Sequence, residues 1–199
     1  MATENDSSKP EFWEIRFLEG RIPWDAGGVP KELEAYLAQA PRGDRALIPG
    51  CGAAYEAVAF HKAGYEVVAI DFSAAAVAAA RRTLGPLQGV ARLGDFFLYD
   101  FGGNSFDVIY ERAFLCSLPR NLWSRYVTRV SELLQPGGVL VGFFFFDSKE
   151  GGPPFGLRQG ELHNLLQGQF MIEADEQPRG SVPVFAGRER WQQWRRLRG

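Results

Sequence analysis

Two glycines flank a cysteine in Gly50-Cys51-Gly52, directly after a short apolar run from Arg45 to Pro49. Without side chains the backbone can turn sharply there and a ligand can approach it closely. Helical periodicity resumes at Tyr55, and the free N–H groups of that helix would point at the same place. Asp71, 21 residues after Gly50, follows a second apolar run, Glu66 to Ile70. An acid in that position is placed to accept hydrogen bonds from both hydroxyls of a ribose. Asp95 lies in Gly94-Asp95-Phe96-Phe97, just past a third run. Its carboxylate suits the exocyclic amine of an adenine, and the Phe96 ring suits the face of the base. These residues point to an adenosine-containing cofactor at the top of a parallel sheet. The alternative is structural: a tight turn at Gly50 and Gly52, a helix cap at Asp71 and a loop aspartate at Asp95. The dinucleotide fingerprint G-x-G-x-x-G needs a third glycine, and Tyr55 stands there, which disfavours a pyrophosphate ligand such as NAD.

Other reactive side chains form no familiar constellation. His61 and His163 are the two histidines, and neither has a ligand-spaced partner, so neither a zinc site nor a Ser-His-Asp hydrolase is expected. Cys116 reads as a small buried residue, with Arg112 four residues away. Arg112 itself is either a pocket cation or the partner of Glu111 or Asp107. Trp13, Phe17 and Trp24 either cover a sheet edge or face a ligand.

The elements that must position these groups follow from periodicity. Helices are predicted over Glu11–Glu19, Lys31–Gln39, Tyr55–Ala63, Ala74–Leu84, Leu122–Leu134 and Glu161–Leu166. Ser73 caps the fourth of these and Gly64 ends the third. Strands are predicted over Arg45–Pro49, Glu66–Ile70, Gly89–Leu93, Asp107–Tyr110, Val139–Phe146 and Gln169–Asp175. In Arg188–Arg198 the spacing of Trp191 and Trp194 fits a helix, yet the segment also fits a final strand. This alternation predicts a doubly wound, mostly parallel Rossmann-like α/β sheet with helices on both faces. Residues 1–10 are read as a disordered tail and 11–199 as one domain, with no internal repeat.

Bulk properties narrow the classes. The chain has 199 residues, is 46% hydrophobic and carries a formal charge of −2, which suits one globular domain and gives no general attraction to nucleic acid or an anionic membrane. The C-terminus is Arg-rich, however. Two distant cysteines fit free thiols in a reducing compartment. Met1–Lys9 lacks an apolar signal core, and Val139–Phe146 is too short to span a bilayer. A cytoplasmic monomer with a small-molecule substrate is the expectation.

Residues 11–30, with Phe12-Trp13, Gly20 and Pro23-Trp24-Asp25-Ala26-Gly27, resemble the N-terminal segment of the thiopurine/thiol methyltransferase superfamily. Pro49-Gly50-Cys51-Gly52, Phe106 to Arg112 and Gly151-Gly152-Pro153-Pro154-Phe155 resemble it in register. The resemblance implies a seven-stranded class I methyltransferase sheet, a lid at 11–30 and S-adenosylmethionine as cofactor, left as S-adenosylhomocysteine. It implies that Trp13 and Trp24 close over the methionine end, and aromatic faces do attract a sulfonium. It implies that Gly50 and Gly52 meet the amino-acid part, Asp71 the ribose, and Asp95 and Phe96 the adenine. Arg112 would stand between cofactor and acceptor as the catalytic side chain, with Asp25, Phe155 and Arg190 on the substrate side. Trp24-Asp25 and Glu111-Arg112-Ala113 stand where the thiopurine branch has Phe-His and Asp-Arg-Gly. The chain is therefore more similar to the branch acting on small thiols and inorganic anions. Methyl transfer to a small soft nucleophile is the implied activity. An NAD-dependent oxidoreductase and a non-catalytic cofactor-binding protein are the rival readings.

Overall fold

A computed structural model describes residues 6–40, 43–103 and 105–198. The elements run α1 (Pro10–Leu18), α2 (Lys31–Gln39), β1 (Arg45–Pro49), α3 (Tyr55–Lys62), β2 (Glu66–Asp71), α4 (Ala74–Leu84) and β3 (Ala91–Leu93), then β4 (Phe106–Arg112), α5 (Trp123–Leu133), β5 (Leu134–Phe145), α6 (Glu161–Leu166), β6 (Phe170–Glu176) and β7 (Glu189–Arg196). One seven-stranded sheet has the order β3-β2-β1-β4-β5-β7-β6. β1 to β5 are parallel, and β7 runs antiparallel between β5 and β6.

Strand alternation makes two cores, one on each face. Ala46, Ile48, Val108, Tyr110, Val141 and Phe143 point to the face covered by α2, α3 and α4. Leu47, Ile109, Leu140 and Phe144 point to the face covered by α5 and α6. Trp191 belongs to the first core and Trp194 to the second, both almost fully buried. This resolves the C-terminal segment as a strand: tryptophans three apart lie on opposite faces of β7, each contributing on the order of 3 kcal/mol of burial.

Differences from the sequence expectation are local. A 3-10 turn at Gly85–Val90 delays β3 to Ala91. α5 ends at Leu133 instead of running toward Pro136, because Leu134 already pairs with Phe106 across the sheet, and the residue before a proline is held extended. Of the residues read as a tail, 1–5 lie outside the described residues. Asp6–Lys9 form a turn closed by Lys9 N to Asp6 O at 3.0 Å, with Ser7 buried. Among the described residues no helix is long and apolar enough to cross a membrane.

Candidate active site

The C-terminal ends of β1, β2 and β4 open into a cavity of about 310 Å³, roofed by the segment from Ser8 to Gly28. This is the crevice where open α/β sheets bind ligands.

The turn after β1 is built for close approach. Gly50 and Gly52 have φ of +58° and +50°, and a Cβ on Gly50 would lie 2.4 Å from the Phe114 ring. Ala54 follows in the left-handed region and α3 begins without a side-chain cap. Asp71 ties this turn to the next: Gly52 N donates to its Oδ2 at 3.1 Å and Ser73 N to its Oδ1 at 3.0 Å. Phe72 N also acts on this carboxylate, and since each carboxylate oxygen can accept twice, capacity remains for a ribose hydroxyl. Asp95 Oδ1 accepts from Phe97 N at 2.7 Å, which fixes the loop after β3. Phe96 is buried there, edge-on to Phe97 and Phe114.

α1 is latched onto this wall. Ser73 Oγ and Ala75 N donate to Glu14 Oε2 at 2.6 and 2.9 Å. These bonds hold the Glu14 carboxyl below its ordinary range. α4 has no acid in its own first turn, so Glu14 supplies the negative charge its N-terminus favours. With α1 docked, Trp13 and Trp24 meet edge-to-face at 5.3 Å. Trp13 Nε1 donates to Ser7 O at 2.8 Å. Asp25 lines the cavity and accepts from Gly27 N at 2.7 Å. Val182, Val184 and the buried Phe185 pack beside Trp24.

Arg112 ends β4 inside the cavity, its guanidinium 4.1 Å from the Phe143 ring. Its partner is Glu189 of β7, at 3.8 Å, and neither sequence neighbour. Asp107 instead accepts from Asp44 N and Arg45 N. Glu111 points to the other face, accepting from Phe114 N, Leu115 N and the Tyr126 hydroxyl. Ala113, next to Arg112, has φ +58°.

Two expected substrate-side residues lie elsewhere. Arg190 pairs with Asp175 on β6 and is absent from the cavity wall. The register explains this. Phe145 pairs with Glu189 and Phe144 with Arg190, and a one-residue step along a strand crosses the sheet. Phe155 is drawn under the Leu115–Ser117 turn, where its N–H donates to Cys116 O at 2.7 Å, and it lines a separate small void. Sequence reasoning missed Glu14, Glu56 and Glu189. Each acts across a long sequence separation, and no local pattern marks it.

Burial leaves three carboxyls holding protons longer than usual: Asp71 is pushed up to about 6, and Glu56 and Glu111 to about 7. The unfolded chain releases these protons first, so stability falls as pH rises from the ordinary carboxylate range to about 7. Thermal unfolding of the cofactor-free protein should therefore show a midpoint several degrees lower at pH 8 than at pH 5. A midpoint that is flat or climbs over that interval would contradict the burial of these groups.

The chain matches the family described as thiopurine S-methyltransferase over residues 8–197. It is 32% identical over 174 residues to "Probable thiol methyltransferase 2" of Arabidopsis thaliana, covering 83% of this chain and 74% of the relative. It is 28% identical over 195 residues to "Thiocyanate methyltransferase 1" of Brassica oleracea, covering 93% and 84%. Among solved structures, the Burkholderia thailandensis 1,6-didemethyltoxoflavin-N1-methyltransferase aligns at a TM-score of 0.76 with 18% identity, covering 95% of this chain and 87% of that one. That likeness concerns the fold. A family match along nearly the whole length, on a sheet of class I methyltransferase topology, places this chain in the thiopurine S-methyltransferase family.

Proposed function

We propose that the protein moves a methyl group from S-adenosylmethionine to a small thiol. The observation that carries this reading is the continuous wall from Asp71 through the Gly50–Gly52 turn to the Trp13–Trp24 pair, ending at Arg112. The bound cofactor supplies an electrophilic methyl carbon on a sulfonium. Asp71 takes a ribose hydroxyl, Asp95 and Phe96 hold the adenine, and the backbone at Gly50 and Gly52 meets the amino-acid end. Trp13 and Trp24 enclose the sulfonium end, where a ring face favours a cation and both rings exclude water. Displacement at a methyl carbon depends on alignment, and a rigid aromatic enclosure provides it.

Two features favour a thiol over an inorganic anion. The charge of Arg112 is already matched by Glu189, and Glu56 and Asp25 line the same cavity, so its inner end does not attract an anion. Arg112 then orients the acceptor more than it captures charge. The two buried cysteines are unpaired, which fits a cytoplasmic setting, and a monomer suffices for every site residue named.

The test is a methyl-transfer screen with S-adenosylmethionine against alkyl and aryl thiols, thiopurines, iodide and thiocyanate. Thiol turnover well above the rest supports the reading; turnover of the anions alone overturns it. Arg112→Lys should lower kcat by about tenfold or more while shifting S-adenosylhomocysteine affinity by less than about threefold. Equal losses in both would move Arg112 to the cofactor.

A further inference from the structure

Glu56 is a buried carboxyl that the cofactor contacts named above do not employ. It is the second residue of α3, lies on the cavity wall, and is only 8% exposed. The groups around it come from every neighbouring element. The Tyr110 hydroxyl of β4 lies against it without a well-formed hydrogen bond. Arg112, two residues further along β4, and Asp25 of the N-terminal segment act on it electrostatically. Cys51 approaches from the turn.

The charges in this corner do not balance. Arg112 is committed to Glu189, and at 3.8 Å the pair is loose: Arg112 Nη1 and Glu189 Oε2 are buried with no hydrogen bond. Glu56 has no cation of its own, and Asp25 adds a like charge. A carboxyl in that setting welcomes a proton.

We propose that Glu56 is the general base that takes the proton of a neutral thiol acceptor. This rests on the thiol reading above. Glu56 receives the S–H proton on a carboxylate oxygen as the thiol sulfur bonds to the methyl carbon. The carbon–sulfonium bond breaks with its electron pair going to the leaving sulfide, and the proton passes to solvent as the products depart. Burial holds the Glu56 carboxyl near 7, where a base can both take and release a proton at neutral pH. The Cys51 thiol, raised by burial and by Asp71 and Glu56, is a poor competitor for that role.

The experiment compares wild type, Glu56→Gln and Glu56→Asp on two thiols. One is p-nitrothiophenol, already ionised at neutral pH; the other is 2-phenylethanethiol, which keeps its proton. S-adenosylhomocysteine affinity is read by calorimetry on the same samples. Glu56→Gln should lose about 100-fold in kcat on the alkyl thiol, in the range of a lost general base. It should stay within about threefold on the ionised thiol and in cofactor affinity, and Glu56→Asp should recover part of the loss. A similar fall on both thiols, or no fall on either, overturns the assignment while leaving the thiol reading intact. A wild type that binds S-adenosylhomocysteine yet methylates neither thiol refutes the acceptor class and the base together.

Discussion

Asp71→Ala should weaken S-adenosylhomocysteine binding by at least about 100-fold, close to 3 kcal/mol. Two losses combine. The ribose hydroxyl loses its acceptor, and the N–H groups of Gly52 and Ser73 lose the carboxylate that holds them. A buried donor left unpaired costs about 1–3 kcal/mol, so the empty site should distort before any ligand arrives. Asp71→Asn separates the two contributions. It keeps one acceptor oxygen and should fall between wild type and alanine. Calorimetric titration of the three proteins, with NAD as a control ligand, reads this directly. Alanine binding within threefold of wild type would remove Asp71 from the cofactor site. Saturable NAD heat would revive the dinucleotide reading that Tyr55 disfavours.

Gly142→Ala should be the most damaging single methyl group in the chain. Gly142 sits in β5 at φ +153°, in register with Glu111 of β4. A Cβ there would fall 1.9 Å from the Glu111 carbonyl oxygen and 2.8 Å from its nitrogen. No side chain can move aside, because the obstacle is the neighbouring strand's backbone. β4 and β5 would have to separate beside Arg112, at the centre of the sheet. The expected result is a loss of more than about 4 kcal/mol, seen as a midpoint at least about 10 °C lower or as no soluble protein. Gly64→Ala is the contrasting variant: its surroundings are open and its φ is +96°, so only backbone strain opposes it. A Gly142→Ala protein that melts like wild type would mean that the β4–β5 register is wrong.

Local chemistry explains what could be read in advance. The turn at 50–52, the acid at 71 and the strands feeding them are short-range patterns, and the cavity gathers them with Asp95, Phe96, Trp13, Trp24, Asp25 and Arg112. What escaped depends on pairing between distant segments. Residues 188–198 fit strand or helix in the sequence, because two tryptophans three apart satisfy a helix face or two opposite sheet faces equally well. The placement of β7 between β5 and β6 decides it. Arg190 lies on the face of β7 opposite to that of Glu189. Glu189 turns toward Arg112, and that parity is set by the antiparallel register. Glu14 meets Ser73 across 59 positions, a contact no periodicity encodes. Phe155 follows Gly151-Gly152-Pro153-Pro154, yet the chain folds it under the Leu115–Ser117 turn, a placement that the local sequence does not encode.

Ala113 carries a consequence of another kind. Its φ of +58° is a conformation that costs alanine about 1–2 kcal/mol in the native protein. Alanine also narrows the unfolded ensemble, returning about 0.4–1 kcal/mol relative to glycine. The cost exceeds the return, so exchange of Ala113 for glycine should stabilise the protein by up to about 1 kcal/mol. The chain thus keeps a strained residue, at a net cost in stability, directly beside the cation of the cavity, the kind of place where backbone strain is held for function.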